Sequence, residues 1–285
     1  MTGTDTGEES RADPSNGQET DPGLQAAYRD SVEEGRVRLS RNLPGLIATG
    51  LVGGIDIGVG VLAYLLVLDA TGSKPLAGLA FGIGLIALGL GQSELYDENF
   101  LVPVSTVAAR QASVLTLLRL WTGTLAANLL GGWLLAVVAL SALPDLAVVA
   151  NETASTYVEL GVSAGSFALA MLGGAAITLM TWMEASAKTE GGRLVALFAM
   201  GFVVATGSLG HVVVVALELS AALVGGADFG YASAVALVAW YALANLVGGL
   251  SLTALRFLQI SANQVEQAAG GDARSALEQP DEDEG

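Results

Sequence analysis

The chain has 285 residues, 52% hydrophobic and only 14% charged, with 37 glycines and a mean hydropathy of +0.58. This composition excludes an ordinary soluble domain and describes an apolar membrane protein with polar ends. A net charge of −16 excludes a general nucleic-acid binder, and the absence of cysteine excludes disulfides.

The opening is polar and acidic, which is not the pattern of a cleavable signal peptide. Residues 1–41 form an acidic N-terminal tail and carry nine acids and five bases. Within it, residues 1–27 read as a disordered lead. Ser31-Val-Glu-Glu34 has the capping-box spacing that predicts the start of a short amphipathic helix. Glu34 and Arg38 stand at i,i+4 on that helix and support it. Arg36, Arg38 and Arg41 then precede the first apolar run, at the level of lipid headgroups.

Residues 42–260 read as a membrane domain of six spans, expected near 42–68, 76–108, 116–140, 158–183, 193–223 and 231–258. A span needs roughly 20 apolar residues. The second and fifth are longer and polar at the middle. The second is broken by Gly91-Gln-Ser-Glu-Leu-Tyr-Asp-Glu-Asn99, the fifth by Thr206-Gly-Ser-Leu-Gly-His211. Unwound backbone at membrane depth is tolerated only inside protein or beside a cavity. Pro103 suits a helix that restarts after the first break. Residues 261–285 form a second acidic tail, expected to be disordered.

If both termini share a side, eleven of the twelve bases fall there and only Lys74 falls opposite. The basic side faces the cytoplasm, so a multi-pass cell-membrane protein with both termini cytoplasmic is expected. Ala127-Asn-Leu-Leu-Gly-Gly-Trp133 in span three echoes Ala244-Asn-Leu-Val-Gly-Gly-Leu250 in span six, at an offset of 117. The same offset carries the start of span five onto the start of span two. Two three-span halves must have opposite orientations, the layout of many transporters. The fold class is therefore all-α, with six spans as two inverted repeats and spans two and five broken.

His211 is the single histidine and opens the second half of a broken helix, where the positive end of the helix attracts an anion. An imidazole there can hydrogen-bond a weak acid and relay its proton; the competing role is to pin the break. Asp97 and Glu98 sit at the other half-helix, where they either cap it or take part in gating or proton uptake. Glu94 is expected to bond loop amides. Asn128 and Asn245 are expected to satisfy backbone groups freed by the breaks. Asp56 in span one is costly unless it faces protein or water. Gly161-Val-Ser-Ala-Gly165 has the G-x-S-x-G form, so an intramembrane Ser–His protease using Ser163 and His211 is a remote alternative.

The chain resembles the formate/nitrite transporter family. The resemblance rests on Gly91–Asn99, Asn128-Leu-Leu-Gly131, Thr181-Trp-Met183, Gly207-Ser-Leu-Gly-His211 and Asn245-Leu-Val-Gly-Gly249. It implies an aquaporin-like six-span subunit, a homopentamer in lipid with one pore per subunit, and passage of small weak-acid anions. It implies a pore histidine at His211, an asparagine at Asn245, and apolar constrictions at Leu85 and Val204. No enzyme activity and no cofactor are implied. Three departures stand out. The lysine that formate channels carry near the start of span four is absent from Tyr157-Val-Glu-Leu160. Their threonine in the first break aligns with Asp97. The glutamate that often precedes the histidine is Gly210 here. A small neutral solute, with His211 structural, is the alternative cargo.

Overall fold

The structure is a computed structural model and describes residues 22–259. Of the two expected disordered segments, 1–27 and 261–285, all but residues 22–27 lie outside the described residues. All regular structure among the described residues is helical.

Helix α1 runs from Pro22 to Ser40. It starts well before Ser31, whose hydroxyl donates to Ala27 O inside the helix instead of capping it. Proline at the first helical position is a start signal in its own right, so residues 22–27 belong to the helix and not to a disordered lead. α1 lies against α4 (Val102–Ala108), burying Tyr28 and Val32 with Leu101, Ala109 and Trp182. Gly35 makes the approach possible: a Cβ there would stand 2.5 Å from Val102 O.

The apolar helices are α2 (Leu43–Thr71), α3 (Lys74–Gly91), α5 (Val114–Ala142), α7 (Ala164–Ser186) and α10 (Tyr231–Gln259). Among the described residues these five are long and apolar enough to cross a membrane. The expected fifth span is two pieces in series, α8 (Glu190–Thr206) and the shorter apolar α9 (Val212–Val224). The expected second span is α3, a break, a 3-10 turn at Asp97–Phe100, and α4. The expected fourth span starts later than read: residues 158–160 end a separate helix, α6 (Ala147–Leu160). Gly161 at φ 53° stops α6, and Ser163 with Ser166 forms a capping box that starts α7.

α2 packs along α5, and α7 packs along α10. The closest approaches correspond. A Cβ on Gly54 would lie 2.1 Å from Asn128 O, and one on Gly174 would lie 2.1 Å from Asn245 O. On the facing helices, a Cβ on Gly131 would meet Leu51 O at 2.2 Å and one on Gly248 would meet Met171 O at 2.0 Å. Small residues at these positions let helix backbones touch. α3 and α8 pack on each other between the two pairs, and α9 lies between α5 and α6.

Candidate functional site

The two breaks share one backbone. Gln92 has φ 53° and Ser208 φ 47°. Ser93 N–H donates to Leu88 O at 3.3 Å, and Leu209 N–H donates to Val204 O at 3.0 Å. Each break is then held by an asparagine. Asn128 donates to Gly50 O at 2.7 Å and Glu94 O at 2.8 Å, and accepts the Tyr96 N–H at 2.9 Å. Asn245 donates to Ala170 O at 2.7 Å and Gly210 O at 2.6 Å, and accepts the Val212 N–H at 2.8 Å. Buried backbone groups without helical partners must find side chains, and a carboxamide supplies donor and acceptor together. In this correspondence His211 stands where Leu95 stands in the first break.

His211 is buried and heads α9. Its Nδ1 accepts the Val214 N–H at 3.3 Å, which leaves the proton of a neutral ring on Nε2. Nε2 stands 3.0 Å from Asp97 Oδ2. The contact lacks in-line hydrogen-bond geometry, and neither Asp97 oxygen has a hydrogen-bond partner among the described residues. Asp97 is fully buried and does not cap α4, whose N-terminus has no side-chain cap. The structure thus brings together two groups that sequence reading placed on separate half-helices.

Glu98 accepts the Leu95 N–H at 3.3 Å and lies 3.8 Å from Arg38. Glu94 does not bond loop amides through its carboxylate: it pairs with Arg41 and lies 3.4 Å from Arg38 Nε. Arg38 therefore joins α1 to the first break. Burial opposes its charge, but the carboxylates of Glu34, Glu94 and Glu98 outweigh burial and hold the guanidinium protonated more firmly than an ordinary arginine. Asp56, whose partner the sequence did not indicate, accepts from the Ser93 hydroxyl at 2.6 Å.

Two vestibules of ≈450 Å³ each reach these breaks. One is lined by Arg38, Arg41, Arg193 and, from the first break, Gln92, Ser93 and Glu94. The other is lined by Lys74, Asp69, Tyr157 and, from the second break, Ser208 and Leu209. Arg41 stands just before the N-cap of α2 and Asp69 lies in its last turn, so the vestibules open at opposite ends of a 29-residue helix, about 43 Å long at 1.5 Å per residue. Val204 lines the lysine vestibule. Its counterpart in the arginine vestibule is Leu88; Leu85 lies one turn deeper, with Cδ1 3.1 Å from a Cβ on Gly201.

Sequence reading missed Tyr241, Leu88 and Glu218. Tyr241 explains Gly210, because a Cβ on Gly210 would lie 2.4 Å from Tyr241 Cε1: the ring fills the space a side chain before His211 would need. Ser163 and His211 form no protease dyad, since Ser163 caps α7 and His211 faces Val214 and Asp97.

Apolar helices around two buried, asparagine-held breaks, each open to its own vestibule, define a multi-pass membrane transport protein. The family model described as formate/nitrite transporter matches residues 25–258, and the chain belongs to that family. Among solved structures it is similar to a protein described as an "FNT family ion channel", at TM-score 0.74 and 16% identity, covering 84% of this chain and 98% of that one. It is also similar to a "Pentameric formate channel with formate bound", at TM-score 0.57 and 20% identity, covering 82% and 96%. No curated protein sequence matches the chain.

Proposed function

We propose that the protein conducts a small monovalent weak-acid anion of the formate or nitrite type through a pore in each subunit, with His211 sharing a proton at its centre. The observation that carries this is the buried contact of His211 Nε2 with Asp97 Oδ2 at 3.0 Å, between the two vestibules. An anion entering a low-dielectric passage is costly unless its charge is shared or neutralised. A donor imidazole next to a carboxylate offers that exchange, and apolar side chains at Val204 and Leu88 restrict hydrated ions on either side. Leu88 takes the place given to Leu85 because it, like Val204, borders a vestibule.

The chain is read as two inverted three-span halves, supported by the matching breaks and asparagine clamps. Both termini are assigned to the cytoplasm on the distribution of bases. A homopentamer in the cell membrane is the expected assembly, supported by the similar pentameric channel. The second reading is a small neutral solute. It is favoured by one observation: Asp97 puts a buried carboxylate beside His211, where it would repel an anion.

A flux panel in liposomes separates these readings, using formate, nitrite, acetate, hydrosulfide, ammonium and glycerol. The proposal expects formate or nitrite flux well above glycerol. His211→Asn should assemble with wild-type thermal stability and slow formate by about 100-fold, the range of a lost acid–base group, while glycerol leak is unchanged. Wild-type formate rate and pH profile in that variant would contradict the role of His211.

A further inference from the structure

Glu218 is an acid in the apolar helix α9, only 4% exposed, and it lines the lysine vestibule. Tyr157 of α6 lines the same vestibule, and Glu218 Oε2 has no partner among the described residues. An ionised carboxyl with an unpaired oxygen is costly in such a place; as the neutral acid it presents a donor. Glu218 is seven residues beyond His211, two helical turns, so the two share a face of α9 about 10 Å apart. Val214, one turn beyond His211, borders the same vestibule.

The other charged or titratable groups toward Glu218 come from every side. α2 contributes Tyr64 and Asp69, α3 contributes Lys74, and α6 contributes Glu152 and Tyr157. Tyr241 of α10 meets the Tyr157 ring edge-on at 5.8 Å. The face of α5 against α9 is apolar, with Gly132 against Leu217. Three carboxyl groups to one lysine make this mouth a poor attractor of anions, yet a favourable place to hold a proton.

We propose that Glu218 is the proton-loading group of the lysine vestibule: it hands its proton to the incoming weak-acid anion, which then moves toward His211 as the neutral acid. The Glu218 O–H bond breaks and an O–H bond forms on the solute. Glu218 is left as a carboxylate on the vestibule wall it shares with Tyr157 and Lys74, and water in the vestibule returns the proton. This rests on the weak-acid reading above and names the residue that makes an acidic mouth compatible with it.

The test is formate flux in liposomes for wild type, Glu218→Gln and Tyr157→Phe, at neutral pH and at a pH close to the solute's own pKa. Glu218→Gln keeps an acceptor for Tyr157 but cannot give up a proton. It should lose about 100-fold at neutral pH, the range of a general-acid contribution, and recover to near wild type where the solution already supplies neutral acid. A wild-type rate at neutral pH would overturn the proposal, as would an assembled variant that stays slow at both pH values. If Glu218→Gln does not assemble, Tyr157→Phe decides. It removes the hydroxyl that shares the vestibule wall with the carboxyl and could donate to its ionised form, so the flux profile should move toward higher pH; an unmoved profile overturns the proposal. Wild type that carries glycerol but no weak acid would overturn the weak-acid reading itself. A failure of the Glu218 variants with wild-type formate flux intact would overturn only the loading role.

Discussion

The first and second breaks have the same backbone and different chemistry. Both turn through a left-handed residue, Gln92 or Ser208, and both are held by one asparagine with three hydrogen bonds. In the first break Leu95 fills the position that His211 fills in the second, and Glu94 reaches out to arginines of α1. In the second the corresponding Gly210 is closed over by Tyr241. The lesson is that the shared part is the part physics forces: freed amides and carbonyls must be satisfied in any apolar span. The side chains around that skeleton are left to differ. One break is tied to α1 through Glu94, and the other carries the histidine.

The comparison is tested hardest where backbones touch. Gly54→Ala and Gly174→Ala each push a methyl against a carbonyl oxygen at 2.1 Å, and backbone has little room to yield. Each should cost about 3 kcal/mol or more and deplete the assembled species on size exclusion. Equal losses support the equivalence of the halves; a tolerated change in one half alone breaks it.

Removing either asparagine comes next. Asn128→Ala and Asn245→Ala each strand one N–H and one carbonyl of the break, Tyr96 N–H with Glu94 O or Val212 N–H with Gly210 O, on the order of 1–3 kcal/mol for each group left unsatisfied. Thermal unfolding in detergent should drop by similar amounts for the two. A smaller drop for Asn128 would mean that the ion pairs of Glu94 with Arg38 and Arg41 hold the first break without it.

The smallest effect has the opposite sign. Gln92→Gly and Ser208→Gly remove side chains from left-handed backbone at φ 53° and 47°. Each should stabilise by up to about 1 kcal/mol, since non-glycine residues pay roughly 1–2 kcal/mol there and glycine returns part of it as chain entropy. Destabilisation of one variant alone would show that its side chain contributes a contact the other break lacks.

The sequence made the repeated features legible because hydrophobic length and a duplicated asparagine–glycine motif are local signals. The long apolar runs, the interruptions at Gly91–Asn99 and Thr206–His211, and the matched Asn128 and Asn245 could all be read that way. What brings Asp97 to His211 could not, because it depends on two half-helices meeting tip to tip. The Asp56–Ser93 contact and the shared vestibule of Glu218 and Tyr157 likewise join residues from different elements. α6 was missed because its mixed composition merges with the apolar run that follows; Gly161 and Ser163 were the available punctuation. Glu218 carried a usable signal, a single acid in an apolar helix, and the rule applied to Asp56 would have found it.

The central claim is that the two breaks open to opposite sides of the membrane. The chain has no cysteine, so Ser93→Cys and Ser208→Cys can each be introduced alone and labelled with a membrane-impermeant thiol reagent in sealed, oriented vesicles. The arrangement predicts that Cys at position 93 reacts only from the face bearing Arg38 and Arg41, and Cys at position 208 only from the face bearing Lys74. Labelling of both from one face would contradict the inverted halves and the two-vestibule pathway together.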